Sequence, residues 1–240
     1  MQVKLLRYTS QPGKAVAMAA RLCYSPADID QLQEKLDEQE VARMIRMLFD
    51  RGHLSPFEHV QFTVGIEGLS RVASHQLVRS RIASYSQQSQ RYIEQKDFES
   101  VIPPSIEQNE QLKKEFMEHL QSSRRLYRRL READVPKEDA RFVLPQATAS
   151  SLVMSKNARA WLEWFHLRAC TRSQWEIRTL AERIMQLLRG VAPYIFESAG
   201  PPCVSQGICR EGRDSCERIH ETEVESLPFI TASTRETESD

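Results

Sequence analysis

Between Ser70 and Tyr92 the chain carries Arg71, Arg79, Arg81 and Arg91 and no acidic residue, although the formal net charge of the whole protein is +0. Neutral donors and acceptors crowd the same stretch: Gln76, Ser84, Tyr85, Ser86, Gln87, Gln88, Ser89 and Gln90. A guanidinium group binds phosphate through a two-bond fork, and serine and glutamine complete such a site without opposing charge. Solvated helix faces usually mix both signs, so this pattern points to an anion or nucleotide site. If Ser89 and Arg91 are extended, their spacing sends both side chains to one side as a phosphate clamp. Further on, Arg159 and Arg168 sit in a segment rich in Trp161, Trp164 and Phe165. A buried arginine needs a partner, and an anion or a ring carbonyl would serve.

Other candidate groups carry weaker signals. Ser55, Pro56 and Glu58 have the pattern of a helix start with a serine cap, and a helix N-terminus suits an anion. His53 and His59 flank that start without a third ligand, so structural or substrate-contacting roles precede a metal. Cys203, Cys209, Cys216 and His220 are four potential zinc ligands, but they lack the closely spaced cysteine pairs of known structural sites. The competing reading is a flexible tail with free thiols, and no metal is assigned. Neither a glycine-rich dinucleotide fingerprint nor a phosphate-binding P-loop is present.

The elements that must position these residues follow from periodicity. Residues 2–8 read as a strand with imperfect alternation. A short alanine-rich helix follows Pro12-Gly13, with Cys23 expected as a small buried hydrophobe. Asp28 to Asp50 reads as a charged helical segment with Val41, Met44, Ile45 and Leu48 on one face, stopped by Gly52. Val60, Phe62, Val64 and Ile66 alternate as a half-buried strand. From Ser70 a helix is expected, with Leu69, Val72, Ala73 and Leu77 as its stripe, fraying after Arg79. A long polar helix from about Ser105 to Glu132 carries several arginines among acids and is expected to be solvated or subunit-facing. A short helix then runs from Pro136 to Pro145. ATASSLVM reads as a strand, and Asn157 caps a long helix with a break near Arg172-Ser173. Its core candidates include Ile177, Leu180, Ala181, Ile184, Leu187 and Leu188.

At 240 residues, with 28% charged and 40% hydrophobic, the chain suits one globular domain. Residues 1–200 form that expected domain, and 201–240 a cysteine-containing, acidic, flexible tail. With 33 basic and 33 acidic residues, a whole-protein nucleic-acid binder is disfavoured, although a local patch stays open. No apolar run approaches the roughly 20 residues that span a membrane. Five cysteines without a signal-peptide pattern fit a reducing cytoplasm.

RSRIASYSQQS, with Arg79, Arg81 and, after seven residues, Ser89, resembles the signature of the flavin-dependent thymidylate synthases. HLSPFEH, SQRY, ARFVLP, NAR and LRACTRSQWEI resemble further blocks of that family in the same order, from about Val3 to Phe196. The resemblance implies an α/β (α+β) fold with a central, mainly antiparallel sheet flanked by long helices, and a homotetramer with active sites between subunits. It implies conversion of dUMP to dTMP, with methylenetetrahydrofolate as carbon donor and FAD reduced by NADPH as hydride carrier. Substrate contacts would fall on Gln76, Leu77, Val78, Arg79, Gln87, Gln88, Ser89, Gln90, Arg91, Arg141 and Arg168. Ser89 and Arg91 would take the phosphate, and Arg168 would act on the uracil as the catalytic residue. FAD contacts would fall on Ser55, Arg79, Ser80, Arg81, Gln87, Asn157, Arg159 and Glu163, with His53 near the flavin. Ser80 replaces the signature histidine, Ser86 an asparagine, and Glu163 a flavin-contacting asparagine; the first matters most, since serine keeps only a short donor, and it implies weaker flavin holding or altered reactivity and not a different reaction. A catalytically silent nucleotide-binding relative and a single-strand nucleic-acid-binding module are the alternative readings.

Overall fold

Val60, Phe62, Val64 and Ile66 are all buried, as their alternation requires, and they face the core from the strand that organises the molecule. The computed structural model describes residues 1–26, 28–34 and 36–216. Among these, β1 Gln2–Tyr8, β2 Gln61–Ser70, β3 Ser84–Gln87 and β4 Ala149–Asn157 form one antiparallel sheet in the order β1-β2-β4-β3. The helices are α1 Pro12–Leu22, α2 Ile29–Glu34, α3 Glu38–Asp50, α4 Arg71–Leu77, α5 Pro104–Glu107, α6 Glu110–Glu132, α7 Lys137–Ala140, α8 Ala158–Arg168, α9 Trp175–Val191, α10 Pro193–Phe196 and α11 Pro202–Ser205. The architecture is α+β, with an antiparallel sheet as expected.

The imperfect alternation of β1 has a structural cause. Its register against β2 slips between Leu5 and Arg7, so Leu6 drops out of the pairing and stays 54% exposed. A second slip in β2, between Ile66 and Leu69, contains Gly68 at φ +73.

Helix boundaries follow from local capping. Asp37 accepts from Glu40 N–H at 2.8 Å and starts α3, so the charged segment from Asp28 is two helices and not one. Gly52, at φ +67, ends α3: its N–H reaches Phe49 O at 3.0 Å, and His53 N–H reaches Leu48 O at 2.9 Å. Asn109 caps α6 and separates it from α5, which splits the expected long polar helix. The break in the last long helix falls where expected: α8 ends at Arg168, and the Gln174 side chain caps α9.

One face of the sheet carries the core. Phe62, Trp161, Phe165 and Phe196 pack with ring centroids 5.2 to 6.1 Å apart. Burial of each contributes about 2 kcal/mol. Some sequence expectations fail at the edges of this core. Val72 is 41% exposed because α4 turns Ala73, Ser74 and Leu77 inward, and Leu187 is half-buried. Cys23 is exposed, because α1 has already ended at Leu22. The opposite sheet face keeps Leu6, Ser86 and Val153 exposed.

Contacts with the body are made on both sides of residue 200. Arg189 donates to Phe196 O at 3.0 Å and to Ala199 O at 2.7 Å, Cys203 is buried, and Arg172 pairs with Glu211 at 3.9 Å. Residues 217–240, including His220 and the acidic run, lie outside the described residues. Among the described residues no group of three metal-ligating side chains stands close enough to hold an ion.

α9 and β2 are joined by a buried carboxyl group. Glu176 accepts from Ser70 N–H at 2.7 Å and from the Ser70 hydroxyl at 2.5 Å, while Ser70 Oγ accepts from Ala73 N–H at 3.0 Å. Glu176→Ala strands two buried donors and should lower stability by about 3 kcal/mol in urea unfolding, with the m-value unchanged. A loss below about 1 kcal/mol would show that the contact is dispensable.

Candidate active site

The Ser70 cap fixes where α4 starts, and α4 delivers the arginine stretch. Gln76 is half-buried, Leu77 buried, and Val78 42% exposed. Helical bonding ends with Val78 N–H on Ser74 O. Arg79, Arg81 and Ile82 follow on the exposed turn that leads into β3. The Tyr85 hydroxyl pins this turn by donating to Leu77 O at 2.8 Å and Ser80 O at 3.0 Å. Burial pushes its phenol above the ordinary pKa, with Arg168 nearby pulling the other way.

β3 alternates as a strand should. Tyr85 and Gln87 turn inward, and Ser84 and Ser86 are exposed. Gln87 donates to Ser150 Oγ at 3.1 Å, and Gln88 N–H bonds Ser151 O at 2.9 Å, so both are anchored to β4.

Ser89 and Arg91 do not form the extended pair expected from their spacing. The chain turns here: Ser89 Oγ accepts from Arg91 N–H at 3.2 Å, and Ser89 O accepts from Ile93 N–H at 2.9 Å. Gln90 lies half-buried within that turn. The Arg91 guanidinium lies on Glu138 at 2.5 Å, and Arg141 Nε donates to Glu138 O at 3.1 Å. Glu138 thus brings together two arginines expected to bind substrate, a link invisible in the sequence because Arg91 and Arg141 lie in different blocks.

The flavin-assigned residues gather where β4 passes into α8. Asn157 Oδ1 caps the helix by accepting from Ala160 N–H at 2.8 Å. Arg159 is half-exposed and not embedded as expected; it bridges Glu58 at 2.7 Å and Glu163 at 3.1 Å. These carboxylates hold its guanidinium above the ordinary pKa. Ser55 opens the turn that carries Glu58, but the pattern does not make the expected cap: Ser55–His59 is a 3-10 turn capped by Leu54 without a side-chain bond. His53 is exposed just before it. Ser80 meets β4 through Lys156, whose ammonium group donates to Ser80 Oγ at 2.6 Å. Lys156 was not singled out from the sequence. The available signal was its parity, since it shares the buried side of β4 with Ser150, Leu152 and Met154.

Arg168 ends α8, roughly 14 Å along the helix from Arg159. Its Nε is buried and without a hydrogen-bond partner, as the reading of an arginine awaiting a ligand requires. Among the described residues Arg79, Arg81 and Arg168 enter no ion pair. Free guanidinium groups, one with an orphaned buried donor, beside neutral serines and amides suit a ligand carrying phosphates and ring carbonyls. A cavity of about 440 Å³ between residues 93–99 and β4 takes only Gln88 from the expected set. Three of the five arginines of α6 bind elsewhere in the chain, while Arg125 and Arg129 are exposed. Arg124 donates to Phe98 O at 2.8 Å, Arg131 pairs with Glu94, and Arg128 pairs with Asp97. These three brace the loop after Arg91.

The family described as "Thymidylate synthase complementing protein" matches residues 4–194. A flavin-dependent thymidylate synthase of Geobacter sulfurreducens is 48% identical over 223 residues, covering 92% of this chain and 96% of that protein. One from Clostridium tetani is 42% identical over 237 residues, covering 92% and 95%. One from Sulfolobus acidocaldarius is 38% identical over 240 residues, covering 98% and 91%.

Tyr85→Phe removes the hydroxyl that holds the turn. It should cost about 1 kcal/mol of stability and speed amide exchange at residues 78–83 in particular. Uniform exchange across the chain would mean that the turn is held by other groups.

Proposed function

The chain belongs to the thymidylate synthase complementing protein family, and we propose that it is a flavin-dependent thymidylate synthase that reductively methylates dUMP to dTMP. The observation that carries this reading is the buried, unpartnered Nε of Arg168, whose charge acts on Tyr85, the residue that pins the turn bearing Arg79 and Arg81. The names of the relatives support the enzyme over the silent or single-strand-binding alternatives.

In this reading Arg91, Arg141 and Ser89 take the phosphate of dUMP. Gln76, Leu77, Val78, Arg79, Gln87, Gln88 and Gln90 line the nucleotide. Glu138 holds Arg91 and Arg141 together and competes with the phosphate for Arg91. Arg168 donates to a uracil carbonyl, and its charge stabilises the negative charge that develops when the ring loses a proton. No enzyme nucleophile is called for, and Ser89 Oγ is already occupied as an acceptor for Arg91 N–H. Ser55, Arg79, Ser80, Arg81, Gln87, Asn157, Arg159 and Glu163 would hold FAD, their guanidinium groups offering charge to its phosphates and the neutral side chains offering hydrogen bonds. FAD reduced by NADPH supplies the hydride, and methylenetetrahydrofolate supplies the carbon. The residue set fits such a group: Asn157 keeps its amide N–H donors free of the helix cap, and Glu163, where an asparagine would be a donor, is held by Arg159.

The assembly proposed is a homotetramer with sites completed by neighbouring chains. The exposed sheet face around Leu6, Ser86 and Val153 and the openness of the arginine turn support it. Residues 1–200 are proposed as the catalytic unit, with the remainder an appendage. The cytoplasm is the proposed compartment, and the lack of any disulfide among the five cysteines agrees with it.

The purified protein should be yellow, and dUMP should perturb its visible flavin spectrum. A colourless protein that takes up no FAD would overturn the reading. Arg168→Ala should abolish dTMP formation while leaving the fold and flavin content intact, and retained turnover would refute its role. Glu138→Gln, which releases Arg91 from a competing carboxylate, should tighten dUMP binding by a few-fold in a flavin-fluorescence titration, corresponding to about 1 kcal/mol. Weaker binding would show that Glu138 only orients the arginines.

A further inference from the structure

Lys156 occupies a position where packing has no use for a charge. It pairs with Phe62 across the β2–β4 ladder, shares the buried side of its strand with Leu152 and Met154, and is 2% exposed. Lysine is among the side chains least often fully buried, and burial without a paired charge is costly. A methionine of similar length would fill the same space without desolvating an ammonium group. No carboxylate among the described residues pairs with Lys156. Its ammonium group instead donates to Ser80 Oγ at 2.6 Å and Ile82 O at 3.2 Å. It therefore ends on the residue that replaces the histidine of the family signature, in the turn bearing Arg79 and Arg81.

We propose that Lys156 is a positioning residue for the flavin nucleotide: by occupying Ser80 Oγ as an acceptor, its ammonium group turns the Ser80 hydroxyl proton outward as a donor to the bound cofactor. The proposal rests on the reading of the chain as a flavin-dependent thymidylate synthase and deepens it. An ammonium group carries three donors and no acceptor, so while Lys156 is charged Ser80 cannot donate to it. Tyr85 holds the carbonyl groups of Leu77 and Ser80, which leaves hydroxyl rotation as the free motion at this residue. Once Lys156 loses its proton, the neutral amine accepts from Ser80, and the donor is withdrawn from the ligand.

The surroundings place this change within an accessible range. Burial pushes the Lys156 pKa down to about 8, with Glu163 acting in the other direction. Of the titratable and charged groups on the neighbouring elements, Glu163 on α8 acts on Lys156 directly; α8 also carries Arg159, His166 and Arg168, the turn Arg79 and Arg81, β3 Tyr85, α4 Arg71 and His75, and β2 Glu67, with the apolar Phe62 opposite Lys156. Burial moves the Tyr85 phenol to higher values. An anionic ligand favours the charged form of Lys156, so binding should draw a proton onto it. Affinity is then full below the free-protein pKa and is lost as pH rises through it.

The test is calorimetric titration of FAD into the full-length protein stripped of flavin, at pH 7, 8 and 9, in buffers of different ionisation enthalpy. The wild type should take up about half a proton at pH 8 and bind FAD about tenfold more weakly at pH 9 than at pH 7. Lys156→Arg, which keeps its charge, should bind equally at the three pH values without proton uptake. Lys156→Met should bind about tenfold more weakly than wild type at pH 7, also without uptake. Thermal unfolding checks both variants, and the arginine variant decides the matter if the methionine one does not fold. If wild type binds FAD with no proton uptake and no pH dependence, or if Lys156→Arg keeps both, the proposal is wrong while the reading of the enzyme stands. If wild type takes up no FAD at any pH, the reading fails and the proposal with it.

Discussion

The hydrogen bonds from Ser70 to Glu176 set the position from which the candidate site is built. One buried carboxyl group takes both the backbone N–H and the hydroxyl of the residue where β2 becomes α4, and so fixes the sheet, α4 and α9 relative to one another. The same serine caps α4, so the helix phase and its attachment to α9 are one constraint. That phase decides where Leu77 O lies, hence where Tyr85 can bond, and hence the path of the turn holding Arg79, Ser80 and Arg81. The QWEI segment is thereby explained as structural support one layer behind the chemistry.

The sheet divides its labour between two faces. Its inner side is filled by Phe62, Val64, Ile66, Leu152 and Met154 against the helices, and this burial supplies the stability. Its outer side carries serines and isolated apolar groups, and among the described residues no helix covers Leu6, Ser86 or Val153. Lys156 is the exception on the inner side, a charge carried through the apolar layer to reach the arginine turn.

Positive charge is also sorted. Arg124, Arg128 and Arg131 are consumed in bracing residues 94–98, and Arg159 is held between two carboxylates. Arg79, Arg81 and Arg168 are left without such partners among the described residues. A neutral protein thereby presents local positive charge, and neutral donors around it keep the charge from being quenched.

Much was legible in the sequence because it depends on near neighbours. Alternation marks the buried side of β2, and the stripe Val41, Met44, Ile45 and Leu48 marks the inner face of α3. The positive φ of Gly52 ends that helix where the residue type says it should. The arginine stretch with its serines and glutamines marks a candidate ligand site on composition alone, and its spacing with the other blocks marks the family. The tertiary structure decided what depends on residues far apart in the chain. Ser89 and Arg91 lie in a turn, not a strand, because Ser89 bonds back to Arg91 and Ile93 and Glu138 draws in the guanidinium. Arg159 is satisfied by Glu58, whereas Arg168 keeps an orphaned donor, a distinction no periodicity carries. Ser80 read alone is a lost imidazole; in the fold it is one end of a pair with Lys156, distant in sequence and brought close by the β4 register. Periodicity reports which side of an element is buried, but which polar groups meet there depends on how elements cross, and only the folded chain sets that.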